Sequence, residues 1–171
     1  MVKNPVQALK RTIVGVTAAL AATAGFAVAA APAQAGPIGG CAELRAFYLN
    51  LGTGGDDLRD NSEVIVWLTQ RNGGGDVELQ HVTGGIGNWS NQSYSRGYQN
   101  ANWHVNSCDV TGIKVRMISH NGTFQGDDNW NMESITLNAY ADGGSPAYAI
   151  SANGNPVKRF TGSSQWWSML G

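Results

Sequence analysis

The chain has 171 residues with 11 Lys and Arg against 12 Asp and Glu, a formal net charge of −1. No basic patch stands out that would neutralise phosphates, which excludes nucleic acid as a default partner. Two cysteines and 13% charged residues leave a chain long enough for one domain of ordinary core size.

Lys3, Lys10 and Arg11 form a basic start. A weakly apolar run rich in alanine, valine and glycine follows, from about Thr12 to Ala31. It closes in Ala33-Gln34-Ala35, the small-x-small pattern that signal peptidase accepts. Residues 1–35 are therefore expected to be a signal peptide, with Gly36 the first residue of a secreted, extracellular protein. The run is long enough for an uncleaved anchor, but its weak hydropathy and the cleavage site favour removal. Its alanine richness is a compositional hint of a bacterial protein. Removal takes three basic residues and no acidic one, leaving eight against twelve and a net charge of −4 on residues 36–171.

Cys41 and Cys108 are the only cysteines. In an exported chain an even pair reads as a disulfide. The alternatives are a metal pair or a reactive thiol. Neither cysteine lies in a C-x-x-C, and His81, His104 and His120 show no metal-ligand spacing.

Glycine, asparagine and serine then cut the chain into short runs with period-two alternation. The segment 44–49 is the first. Val64-Ile65-Val66-Trp67-Leu68 is apolar on both faces and is predicted to be a central strand. The segments 77–81, 113–117 and 135–140 alternate, with Lys114 and Arg116 on the wet face of the second. Weaker runs at 147–151 and 157–160 flank Asn153-Gly154-Asn155-Pro156, a turn signal. A further strand is expected near Gln99–Val105. About eight short strands without helical periodicity predict an all-β fold, an antiparallel β-sandwich or barrel in one domain.

Three loops carry chemistry. The first, 52–61, holds Asp56, Asp57 and Asp60. The second is Gly84–Asn91 and holds Trp89. The third, 121–131, holds Asp127, Asp128 and Asn129. Carboxylates, amides and flexible backbone are what calcium requires, and also what turns are made of. The first loop lacks the lysine and hydroxyl of a phosphate cradle, and no G-x-S-x-G occurs. Paired aspartates suit a glycosidase only across a cleft, for which a small sandwich has little room. Trp89, Tyr94, Tyr98 and Trp103 fall in a polar stretch, and Trp166-Trp167 lies near the C-terminus. Such tryptophans either stack on sugars and anchor at membrane interfaces or cap the core. Trp67 and Trp130 are assigned to the core.

Taken together, these segments resemble a PLAT/LH2 domain, the C2-like β-sandwich of lipoxygenases, lipases and clostridial phospholipase C toxins. Three pieces carry the resemblance. Residues 49–57 leading into 62–68 look like the family's first strand, Gly/Asp-rich loop and second strand. Residues 111–120, with Ile113, Val115 and His120, look like its central strand. Residues 127–137 look like the segment in which an aspartate and an aromatic precede the last core strand. The family implies a β-sandwich, here of about eight strands, that acts as a non-catalytic module binding lipid surfaces or protein partners, often with calcium. The matching calcium positions are Asp56, Asp57 and Asp60, then Asp128 and Asn129, beside which Asp127 lies. The chain departs from the family in its extra Gly/Asn/Ser-rich sequence around 84–107, its tail after Tyr140, and the lack of an attached catalytic domain. The expected function is a secreted, monomeric binding module for a membrane lipid, glycan or protein surface, with Trp89, Trp166 and Trp167 as ligand-binding residues. A lectin-like carbohydrate binder is the alternative, and a small secreted hydrolase or protease inhibitor the runner-up from other classes.

Overall fold

The structure, a computed structural model, describes residues 34–71, 74–96, 104–120 and 126–171. The expected leader up to Ala33, the candidate strand residues 99–103, Tyr98, Trp103 and loop residues 121–125 lie outside these. His104 and Val105 belong to no strand.

Nine strands are described: β1 (Gln34–Pro37), β2 (Ala46–Thr53), β3 (Glu63–Gln70), β4 (Val77–Thr83), β5 (Asn91–Arg96), β6 (Val110–Ile118), β7 (Asn129–Tyr140), β8 (Pro146–Thr161) and β9 (Ser164–Leu170). They form two antiparallel sheets, ordered β1-β8-β7-β2-β5 and β4-β3-β6-β9. The fold is thus the antiparallel β-sandwich expected from the alternation. β3 lies between β4 and β6, as its two apolar faces predict. β1 includes Gln34 and Ala35, the last residues of the expected leader, paired with Ser151 and Ile150.

Alternate residues from both sheets meet in one core. Phe47, Leu49 and Leu51 of β2 join Val64, Val66 and Leu68 of β3 and Ile113, Val115 and Met117 of β6 within a single apolar cluster. Trp130 is fully buried, stacks on Phe160 with centroids 5.3 Å apart, and donates Nε1–H to Thr53 Oγ1 at 2.9 Å. A buried indole N–H needs such an acceptor. Trp67 departs from its core assignment. Its neighbours Val66 and Leu68 point inward, so the alternation turns Trp67 to the outer face, where it is half-buried.

Sequence and structure part at three other places. The weak runs at 147–151 and 157–160 are one 16-residue strand, β8. Opposite β7, Met132 pairs with Lys158 and Ser134 with Asn153, so the predicted turn is a bulge, residues 154–157, facing Glu133. Against β2, Gly52 pairs with Ser134 and Thr53 with Met132, so Glu133 is an extra residue of β7, and the inward parity of β7 switches there from Trp130 and Met132 to Ile135, Leu137 and Ala139. β5 gives no strand signal, because Asn91-Gln92-Ser93-Tyr94-Ser95 has no apolar alternation, as suits an edge strand. β9 is hidden in the sequence because adjacent Trp166 and Trp167 mask its alternation.

Cys41 and Cys108 are bonded, with Cα atoms 5.2 Å apart and a sequence separation of 67. The bond joins the approach to β2 to the approach to β6, beside the Leu44 N–H bond to the Val105 carbonyl. Changing Cys108 to Ser should lower unfolding free energy by about 4 kcal/mol, the chain-entropy value for so long a loop. Denaturant titration of both forms under non-reducing conditions measures this.

Candidate functional site

The three loops singled out in the sequence converge at one end of the sandwich. Thr53 N–H donates to Ser90 O, and Trp89 N–H to Gly54 O, which binds the 84–90 loop to the 54–62 loop. Leu58 N–H bonds Ile86 O, and Gly84 N–H bonds Ser62 O. Asn131 N–H bonds Asp56 O, which brings in the start of β7. Gly84 has φ +62 and lies against the Asp60 backbone, so a side chain there would be both strained and obstructed.

Arg59 is the centre of this end. Its Nε lies 2.9 Å from Asp128 Oδ1, and its own backbone N–H donates to Asp128 Oδ2 at 2.9 Å. Its Nη1 and Nη2 donate to the carbonyls of Gly126 and Asp127 at 3.1 and 2.8 Å. Asp128 is 2% exposed, and its N–H donates to Ser119 Oγ. A buried carboxylate requires such a partner. A second arginine, Arg159 of β8, holds Asp56 with Nη2 at 2.9 Å from Oδ2.

Asp57, Asp60 and Asp127 lie toward solvent, and Asn129 is half-buried as the first residue of β7. Asp57, Arg59, Asp60 and Asn61 line an open hollow of about 430 Å³. Calcium takes six to eight oxygens from one cage. The six expected residues, Asp56, Asp57, Asp60, Asp127, Asp128 and Asn129, belong to the segments that meet at this end. Asp56 and Asp128 are each engaged by an arginine, and among the described residues no three His, Cys, Asp or Glu side chains form a metal-holding group. The loops do meet, but a guanidinium stands where the charge argument would put a cation.

Trp89 sits at the tip, 71% exposed, with φ 56 in the left-handed region. A non-glycine residue there is strained, and a bulky one more so. Its ring lies over Gly55, where a Cβ added to the glycine would come within 2.9 Å of Cζ2. The ring is therefore seated on backbone while remaining open to solvent. Trp166 and Trp167 are split by strand alternation. Trp166 is 53% exposed on the outer face, stacked on Trp67, whereas Trp167 is partly buried against the core.

The sequence alone does not single out Arg59 and Arg159, nor a carboxylate between two imidazoles. Glu63 Oε2 meets His81 Nε2 at 2.8 Å, and Oε1 meets His120 Nε2 at 2.9 Å. The His81 hydrogen bond, with His120 adding to it against desolvation, holds the Glu63 carboxyl below its usual range. Cross-strand pairing sets this up, since Glu63 lies opposite Thr83 and Ile118 at the ends of β4 and β6.

No family model matches the chain, and no curated protein matches it. Solved structures that are similar include a LOX variant in complex with arachidonate, at 14% identity and TM-score 0.44 over 74% of this chain. They also include the alpha-toxin of an avian strain of Clostridium perfringens, at 14% identity and TM-score 0.42 over 75% of this chain. The chain spans only 16% of the first molecule and 30% of the second.

Two outcomes follow from this geometry. Arg59→Ala strands a buried carboxylate and should cost about 3 kcal/mol of stability. Asp128→Asn should cost less, because its amide oxygen still accepts the Arg59 N–H; chemical denaturation ranks the two. For Glu63, the lowered folded pKa gives stability that is present above the usual carboxylate range and lost as pH falls through the folded value. The difference in urea midpoint between wild type and Glu63→Gln should therefore shrink on acidification from pH 7 (tested down to about pH 3).

Proposed function

We propose that this protein is a secreted, non-catalytic, monomeric binding module that attaches through its loop end to a lipid surface. The observation that carries the reading is Trp89, a strained and 71% exposed indole seated on Gly55 at the tip. Leaving a large aromatic in water is costly, and backbone strain is kept where the fold around it over-determines the conformation. An indole suits the headgroup level of a bilayer, with its ring in the apolar zone and its N–H in the wet one. The Cys41–Cys108 bond fits an oxidising compartment, in keeping with a leader ending at Ala35. Arginine-held Asp56 and Asp128 serve cohesion rather than proton transfer, which favours binding over catalysis.

Charge narrows the surface. Asp57 and Asp60, on the loop bonded to the Trp89 loop, are exposed and disfavour anionic headgroups within a Debye length. The preferred surface is zwitterionic, and calcium is not required where arginines already neutralise Asp56 and Asp128. A second, glycan-directed reading is favoured by one observation, the Trp67–Trp166 stack on the outer sheet face.

Sedimentation with phosphatidylcholine vesicles tests the lipid reading on the exported protein, whose intact mass also reports whether it starts at Gly36. Trp89→Ala should weaken partitioning about tenfold or more, since burying such a side chain is worth about 1.5–3 kcal/mol. Its melting temperature should not fall, and added calcium should leave partitioning unchanged. Wild type that ignores the vesicles, or Trp89→Ala that partitions equally, would defeat the reading.

A further inference from the structure

The loop end leaves a second aromatic surface without a role. On the outer face of the four-stranded sheet, Ile65, Arg116 and Trp166 form one cross-strand row, and Trp67, Lys114 and Ser168 the next. Trp67 and Trp166 reach across β6 and stack with centroids 5.3 Å apart and planes at 30°. The Arg116 guanidinium carbon lies 5.2 Å from the Trp166 ring centroid, and Arg116 Nε donates to Ser164 Oγ at 3.0 Å. Lys114 and Trp166, with Trp167 and Ser168, line a hollow of about 270 Å³.

The charges on this face are unevenly matched. Lys114 is held by Asp76 at 2.5 Å. Among the described residues no carboxylate lies within ion-pair distance of Arg116. A guanidinium set against an indole, in a chain that is acidic overall, is an oriented anion receptor rather than part of a general basic field. Its planar fork matches a carboxylate in two parallel hydrogen bonds. The indole beside it offers a flat apolar surface, and Ser164 and Ser168 offer hydroxyls that both donate and accept. The hollow is smaller than a drug-sized pocket and suits a single ring. The indoles stack on one another across β6, which separates this face from the lone Trp89 at the tip.

We infer that the outer face of the four-stranded sheet binds an acidic polysaccharide, one ring of which stacks on Trp166 while its carboxylate is held by Arg116. The inference rests on the glycan-directed reading, names its ligand class, and stands apart from the lipid reading.

The test is isothermal titration of the exported protein with polygalacturonate, with neutral galactan and phosphatidylserine vesicles as separate arms. Polygalacturonate should bind at least about tenfold more tightly than galactan, a 1.4 kcal/mol preference, and should weaken as salt is raised. Arg116→Gln should abolish that preference, and Arg116→Lys should restore only part of it, because an ammonium keeps the charge without the fork. Trp166→Ala should weaken both glycans, and Trp89→Ala neither. Equal binding of galactan and polygalacturonate, no binding of polygalacturonate, an undiminished preference in Arg116→Gln, or vesicles bound through Arg116 in place of the polysaccharide would each overturn the proposal. Loss of phosphatidylcholine-vesicle partitioning in Trp89→Ala with polygalacturonate binding intact is expected, since the two surfaces are separate; loss of polygalacturonate binding in that variant would overturn the proposal.

Discussion

The loop end depends on one buried charge pair. Asp128 is taken out of water at the start of β7, where an isolated carboxylate would be prohibitively expensive. Arg59, carried on a loop 69 residues earlier, satisfies it with both its side chain and its backbone N–H. The same guanidinium then bonds the Gly126 and Asp127 carbonyls, so one residue closes the seam between the β2–β3 loop and the approach to β7. Backbone bonds from Leu58 and Trp89 tie in the 84–91 loop. This seam adds charged and backbone bonds to the anchoring that buried Leu58 and Ile86 give the first two loops. An arginine inside an acidic cluster also relieves the repulsion that would otherwise call for a metal ion.

Turn geometry and strand alternation expose the two aromatic surfaces by different routes. Trp89 is exposed because it tops a turn and has backbone, not side chains, beneath it. Trp166 is exposed because its neighbour Trp167 takes the inward position on β9. The surroundings differ in sign. Exposed Asp57 and Asp60 share the loop end with the first, and Arg116 and Lys114 border the second. A single chain thus offers an acidic aromatic tip and a cationic aromatic face, which electrostatics directs to different ligands.

Core and surface are linked through the irregularity at Glu133. It is an extra residue of β7 against β2 and faces residues 154–157 of β8 on the other side, and the inward set of β7 changes parity there. Because parity changes there, Trp130 and Phe160 stack beneath the loop end while Ile135, Leu137 and Ala139 still face the core farther along. Trp130 also secures Thr53, the last residue of β2 before the first loop, so the loop end stands on an aromatic base.

How much can be read without a structure follows from the range of each interaction. Period-two runs such as 64–68 and 113–117 announce their strands, and the two-faced apolar run announces its central place, because those signals are local and repeat every second residue. The cysteine pairing is legible because only one pair exists. β5 and β9 are not, since a polar edge strand and a Trp-Trp step carry no alternation to read. The Asp-rich loops are visible as acids, but their partners are not, since Arg59 and Asp128 are joined only once β2, β3 and β7 pack. Trp67 is misplaced by its local pattern for a related reason: an indole on an outer face is covered by Trp166, which comes from a strand 99 residues away. The sequence alone therefore determined an all-β chain with a disulfide and acidic, tryptophan-bearing loops. Only tertiary packing decided which charges cancel and which aromatics stay exposed, because both depend on contacts between residues far apart in the chain.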